Sequence, residues 1–317
     1  MPFGSRFYPA VDGVDLSLAA GEAVAVVGES GCGKSQLARA ILRLSPEGSR
    51  VSGRILWEGR DIGGLPEREW NAIRGTKVGL VLQEPASALD PVRTIGAQIL
   101  EAIRLHLPES AAEARPLALA TLRDVGFPDP ESGFDEYAHR LSGGLRQRAL
   151  LAIALAPQPR VLIADEPTSS LDATVAAQVL DLLDRLRRER GLALLLVTHD
   201  LGVVARHADR AVVLYAGRIV EESSVEHLFA APQHPYTRGL LASVPRLADA
   251  RAGRRRYEAI AGSIPDLPDR LPGRCAFAPR CPERFDPCER REPGLYAAGR
   301  ARARCFLYES APAAAPR

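Results

Sequence analysis

The sequence predicts an α/β protein organised around a buried sheet, and three observations carry that prediction. The first is Gly28-Glu29-Ser30-Gly31-Cys32-Gly33-Lys34-Ser35, which reads G-x-x-x-x-G-K-S. It stands between the apolar run Ala23 to Val27 and a helical pattern from Gln36 to Leu44. The second is a pair of short apolar runs without alternation, Val161 to Ala164 and Leu192 to Val197, each ending in polar residues. Such runs suit parallel strands covered on both faces. The third is helical spacing between them, with Val175, Val179, Leu182 and Leu186 on one face and Gly191 as a stop.

The strand–loop–helix setting gives the glycine-rich run its chemistry. Glycines let the backbone wrap closely around phosphate oxygens, and backbone N–H groups at a helix start face the anion. Lys34 adds a point charge for the outer phosphates, and the Ser35 hydroxyl is placed to ligate Mg²⁺. Gly28, Ser30, Gly31, Cys32, Gly33, Lys34, Ser35 and Gln36 are therefore the candidate phosphate-binding residues.

Composition narrows the class. The 317 residues suffice for about two domains. Apolar content of 46% and charged content of 25% are ordinary for a globular protein. A net charge of +2 leaves no electrostatic footprint for nucleic acid. The longest apolar runs, Ala149 to Ala156 and Leu192 to Val197, fall far short of a membrane span. Met1 to Val11 lacks a charged segment followed by an apolar core, so a cytosolic protein with peripheral membrane contact is expected.

Taken in order, Val11, Val14, Leu16 and Leu18 alternate as in a strand. Tyr8, upstream of the loop, is a candidate for stacking on a nucleotide base, or else a core aromatic. Gly53 to Trp57, followed by Gly59, predicts a short strand and a turn. Lys77 to Gln83 predicts a strand that Pro85 ends, which leaves Gln83 able to reach a metal or a water. Residues 86 to about 140 change character: Ile95, Ile99 and Ile103 have helical spacing, Ala111 to Val125 is Ala/Leu-rich, and Pro108, Pro116, Pro128 and Pro130 punctuate the stretch. A helical insertion is expected there.

Ser142 then opens a helix as its N-cap, followed by Gly143 and Gly144. Two glycines at a helix start make a second place where an anion can approach N–H groups, or simply a capped helix. Asp165 and Glu166 close an apolar strand; Asp165 can hold Mg²⁺, and Glu166 can orient or deprotonate a water. Asp172 can cap the next helix, and His199 ends the Leu192 to Val197 strand, where it can donate to a γ-phosphate. Leu201 to Arg206 looks helical, and Ala211 to Glu221 reads as a hairpin about Ala216-Gly217.

Together, Gly28–Ser35, Gln83, Leu141–Gln147, Asp165-Glu166, Leu171-Asp172 and His199 resemble the ATP-binding subunit of ABC transporters from about residue 8 to 222. The Leu141-Ser142-Gly143-Gly144 run is similar to that family's signature motif, although position 145 is Leu where many members carry Gln. The resemblance implies a mixed-sheet core with a helical subdomain at about 86–157, within a nucleotide-binding domain spanning 1–222. It also implies a head-to-tail dimer in which each ATP sits between one subunit's phosphate loop and the other's Ser142–Gly144. By the same resemblance Gln83, Glu166 and His199 take catalytic roles, Leu171-Asp172 falls in the D-loop, and Ser35, Gln83 and Asp165 serve Mg²⁺. The implied partners are two membrane permease subunits, a second ATPase that is a copy or a paralogue, and indirectly an extracytoplasmic binding protein.

The tail, 223–317, looks like the C-terminal extension of oligopeptide and dipeptide permease ATPases. Gln233-His234-Pro235-Tyr236-Thr237-Arg238, Gly273-Arg274-Cys275 and Ala278-Pro279-Arg280-Cys281-Pro282 carry that resemblance. It implies peptide import at the cytoplasmic face of the membrane. An importer of nickel or a glycoside is the alternative, and a soluble, non-transport ABC ATPase a more distant one. Cys275, Cys281, Cys288 and Cys305 suit a [4Fe–4S] cluster or tetrahedral Zn²⁺ better than a disulfide framework, although their spacing matches neither the two-CxxC zinc pattern nor the ferredoxin run, and four free thiols are the third alternative. The resemblance favours the cluster, as a clip for a Pro-rich, sheet-poor segment. Arg251 to Arg256 reads as a solvated basic face.

Overall fold

A computed structural model describes residues 1–3, 6–107, 111–244, 260–270 and 272–309. Pro108, Pro245 and the basic run Arg251 to Arg256 lie outside the described residues. The chain divides into two compact units: 1–17 with 24–51 and 197–317, and 18–23 with 52–196.

The first unit is built on the strand Ala23–Val27, whose five residues are all fully buried. It runs parallel to Arg210–Tyr215, with Val24 opposite Arg210 and Val27 opposite Val213. The turn at Ala216 and Gly217 has φ of 47° and 85°, the left-handed pair of a two-residue hairpin. It leads into Arg218–Ser224, as the sequence predicts, with a bulge between Ile219 and Glu221. Two strands from the tail continue this sheet: Ala301–Ala303 pairs antiparallel with Arg218–Ser224, and Tyr296–Ala298 lies outside it.

Position 222 lies within Arg218–Ser224, and the tail adds only these two three-residue strands among its described residues. Its aromatics also enter the same core. Tyr236 and Phe277 pack with Ala25, Val27, Val213, Tyr215 and Leu228. The helix Pro235–Ala242 starts on Pro235, with His234 as its cap. The expected strand over Val11 to Leu18 does not form. Alternate residues there are half-buried, and Asp12 N–H donates to the Gly217 carbonyl at 2.8 Å, but no ladder follows. Alternation reports burial, and a strand also needs a paired edge.

In the second unit, Val78–Val81 runs parallel to Val161–Asp165. Ala193–Thr198 follows Val161–Asp165 in the sheet order. Leu56–Trp57 and Arg60–Asp61 form a small hairpin about Glu58 and Gly59, shorter than the expected Gly53–Trp57 strand. The insertion is helical as expected: Ile95–His106, Ala111–Asp124 and Pro130–Asp135, with Ile95, Ile99 and Ile103 fully buried. Pro130 opens its helix behind Asp129, whose carboxylate accepts from the N–H groups of Glu131 and Ser132. Pro116 lies within a helix rather than ending one. Among the described residues, no helix is long and apolar enough to cross a membrane.

His234 gives the first unit a pH-dependent stability. Its Nδ1 accepts from Tyr236 N–H at 3.0 Å, which only the neutral ring can do. Burial, with Arg238 adding to it, lowers the pKa to about 3. Because the unfolded state takes its proton first, near 6.5, stability is full above that value and is lost as pH falls towards 3. Urea denaturation should show this as a decline of about 1.4 kcal/mol per pH unit below that threshold. His234→Asn, which keeps a neutral cap, should flatten the slope.

Candidate nucleotide site

The phosphate loop belongs to the first unit. Gly28 must be glycine for space: a Cβ there would lie 2.3 Å from the Leu214 carbonyl oxygen and 2.8 Å from Cys32 Sγ. Gly33 has φ of 112° and a Cβ would meet the Ala10 carbonyl oxygen at 2.8 Å. The helix Lys34–Ile41 thus begins behind a residue with no side-chain cap and has no acidic residue in its first turn. That leaves its N-terminal dipole uncompensated by carboxylate, a fit for an anion.

Lys34 is only 7% exposed. Its Nζ donates to the carbonyls of Gly28 at 2.8 Å and Glu29 at 3.1 Å, so the ammonium is held inside the loop that its own sequence encloses. Ser35 and Gln36 occupy the helix's first turn. Ser30 and Gly31 lie on the outer arc of the loop, while Cys32 is fully buried, and burial raises its thiol pKa. Cys32 packs rather than reaching outward.

Tyr8 is half-buried and follows a short hairpin, Pro2–Phe3 with Arg6–Phe7. His199 also belongs to this unit. It is exposed, one residue past the strand Ala193–Thr198, and Asp200 beside it caps the helix Leu201–His207.

The second unit gathers the remaining residues. Its strand register sets Val81 beside Ala164. Both strands therefore leave the sheet at one edge, with exposed Gln83 past one end and Asp165 and Glu166 at the other. Asp165 and Glu166 are 2% and 8% exposed. Glu166 has φ of 49°, a left-handed conformation that costs a non-glycine residue about 1–2 kcal/mol. Strain of that kind concentrates where a side chain must point one way. Pro85 starts the short helix Pro85–Ala88 rather than an open loop.

Ser142 caps Gly143–Leu155, its Oγ accepting from Leu145 N–H at 3.4 Å. Ser142 and Gly143 are exposed, which leaves the helix start open. Asp172 caps Ala173–Arg190 through the N–H groups of Thr174 and Val175. The second glycine has a reason the sequence did not reveal: a Cβ on Gly144 would lie 2.6 Å from Val175 Cγ1 of that helix.

Among the described residues, no group of three or more His, Cys, Asp or Glu side chains is arranged to hold a metal ion. Cys275, Cys281, Cys288 and Cys305 are neighbours, and Cys288 packs with Ala278 and Phe306 as a small apolar side chain. Burial pushes the Cys275 and Cys305 thiols up to about 11 and raises that of Cys281. A metal or cluster held there would have to bind these four as thiolates, releasing their protons.

A phosphate loop at the end of a buried strand, beside a helix start left open for an anion, defines a P-loop nucleotide-binding protein. Residues 11–169 match the ABC transporter family, and residues 220–288 match the oligopeptide/dipeptide transporter C-terminal region. The chain is 48% identical over 305 residues to the oligopeptide transport ATP-binding protein AppD of Bacillus subtilis, covering 95% of this chain and 92% of that one. It is 47% identical to the probable peptide ABC transporter ATP-binding protein y4tR of Sinorhizobium fredii, covering 90% and 85%. A solved dimeric, post-hydrolysis structure of the ATP-binding cassette MJ0796, bound to ADP and Pi, superimposes with a TM-score of 0.63 at 30% identity, over 71% of this chain and 94% of that one. The chain belongs to the ABC transporter family, as an ATP-binding subunit of the oligopeptide/dipeptide group.

The Gly144 contact is directly testable. Gly144→Ala should destabilise the protein by about 1–3 kcal/mol in thermal unfolding, because backbone or Val175 must move. Gly143→Ala, whose Cβ has only a 3.8 Å contact with Leu171, should change stability little.

Proposed function

We propose that this chain hydrolyses ATP to energise import of di- and oligopeptides through a membrane transporter. The observation that carries the reading is the presence in one chain of two helix starts open to anions, one behind the Lys34 loop and one behind Ser142. Support for the peptide class comes from the matched C-terminal region and from the relatives' names.

In this reading Gly28–Gln36 cradle the phosphates and Lys34 turns from its loop carbonyls to the triphosphate. Ser142, Gly143 and Gly144 complete the site of a second ATPase subunit, a copy or a paralogue, in a head-to-tail dimer. Mg²⁺ would be held by the Ser35 hydroxyl, Asp165 and Gln83, and would neutralise charge on the phosphates. Glu166 orients and deprotonates the attacking water, His199 donates to the developing phosphoryl charge, and Tyr8 stacks on the base. The nucleotide-binding domain spans 1–222, with the extension following it. The helical insertion around 86–140, with Gln83 before it, receives the coupling helix of a permease, and the transporter has two such membrane subunits at whose cytoplasmic face the ATPases act. An extracytoplasmic peptide-binding protein acts on those subunits. A [4Fe–4S] cluster, or Zn²⁺ as the alternative, would be held by Cys275, Cys281, Cys288 and Cys305 as thiolates and would clip the extension together; no step is assigned to it.

Glu166→Gln should retain ATP binding and lower kcat by about 10²–10⁴-fold, the range for losing a general base. Wild-type turnover by that variant would refute its role. Lys34→Ala should weaken ATP binding about ten- to a hundredfold, as expected for losing a charge-assisted contact. Calorimetric titration checks ATP binding by both variants, and a steady-state ATPase assay checks turnover by Glu166→Gln.

A further inference from the structure

The C-terminal extension grips the phosphate loop from behind, and we propose that Tyr236 and Arg280 are positioning residues that hold the loop in shape for the triphosphate. The inference rests on the reading of Gly28–Ser35 as the ATP loop.

Glu29 is the point of attachment. Its N–H donates to the Tyr236 hydroxyl at 2.9 Å. Its carboxylate receives both arms of the Arg280 guanidinium, at 2.7 and 3.0 Å. Its carbonyl, with that of Gly28, holds Lys34. The backbone and side chain of one residue are thus clamped by the extension while its oxygen faces the catalytic lysine. A third side chain from the extension, Arg270, donates to the Gly31 carbonyl at 3.1 Å and the Ala10 carbonyl at 3.3 Å.

These anchors are themselves buried and hydrogen-bonded. Arg280 is 5% exposed and also donates to the carbonyls of Ala261 and Gly262, at 2.8 and 3.2 Å. Its pKa is raised, chiefly by the hydrogen bonds to Glu29. A bidentate guanidinium–carboxylate pair fixes direction as well as distance. The Tyr236 ring is fully buried, with centroids 4.8 Å from Tyr215 and 5.4 Å from Phe277. The helix bearing it is fastened in turn. Fully buried Glu221 accepts from the N–H groups of Gln233 and His234, at 2.8 and 2.7 Å, and His234 accepts from Tyr236. The His-Pro-Tyr run accordingly has a mechanical role: cap, helix start, and a hydroxyl delivered to the loop.

A loop ordered in advance spares its ordering cost when nucleotide binds. Because the brace acts before the transition state, its loss should raise KM while kcat stays near its original value. The full-length chain tests this with a fluorescent ATP analogue, ATPase kinetics and thermal melting. Tyr236→Phe removes only the hydroxyl, and Arg280→Lys removes the fork while keeping the charge. Each should raise Kd and KM for ATP by about five- to tenfold, with kcat within about twofold, for loss of a contact shared by ground and transition states. Glu29→Gln alone should fall in the same range, and combined with Arg280→Lys it should be no worse than the poorer of those two single variants, since contacting residues act as a unit. Wild-type Kd in both Tyr236→Phe and Arg280→Lys, or fully additive losses in the double, would overturn the proposal. Lys34→Ala separates the two readings. If it too binds like wild type, the ATP-loop reading fails. If it loses binding while Tyr236→Phe and Arg280→Lys do not, only the brace fails.

Discussion

A buried ammonium must find oxygen. Lys34 is almost wholly enclosed, and an unpaired charge at that depth would cost several kcal/mol. The carbonyls of Gly28 and Glu29 meet it, and they can do so only if the backbone turns back sharply after the strand. That turn requires a residue without a Cβ at Gly28, where the Leu214 carbonyl lies close by. The same geometry delivers the helix start behind Gly33 with its dipole uncapped. In the proposed function, a triphosphate would exchange one set of oxygens around Lys34 for another.

The loop is stabilised by more than its own glycines. Its strand lies in a core that includes Tyr236 and Phe277 from far along the chain. The sheet that positions the loop also takes two strands from the tail, through Glu221 and Glu222 opposite Ala303 and Arg302. Burial makes the extension part of the loop's foundation: Cys275 and Cys281 pack against the same core as Tyr236 and Phe277, and Cys288 packs with Ala278 and Phe306.

The second unit solves a different problem with register. Parallel pairing of Val78–Val81 with Val161–Asp165 brings Gln83 to the edge where Asp165 and Glu166 emerge. The positive φ at Glu166 redirects its side chain immediately after the strand. Nearby, Ser142 and Asp172 supply two N-caps, and Gly144 allows their helices to approach. The positive φ and the two caps are local in sequence; the strand pairing and the Gly144 contact, which needs Val175 across the helix pair, are not.

The sequence by itself determined the local chemistry: the glycine-rich loop, the caps at Ser142 and Asp172, the buried strands and the Ala216-Gly217 hairpin. Those features are written in neighbouring residues, through backbone freedom, capping hydroxyls or carboxylates, and runs of apolar side chains. It misjudged Val11 to Leu18, because alternation shows which side is covered and not whether an edge is free to pair. Only the tertiary structure decided what holds Glu29. Its partners Tyr236 and Arg280 stand 207 and 251 positions away, and a contact at that separation leaves no periodicity or spacing to read. It is set by how the sheet closes, since the strands that carry the loop and the tail meet only when the chain is folded.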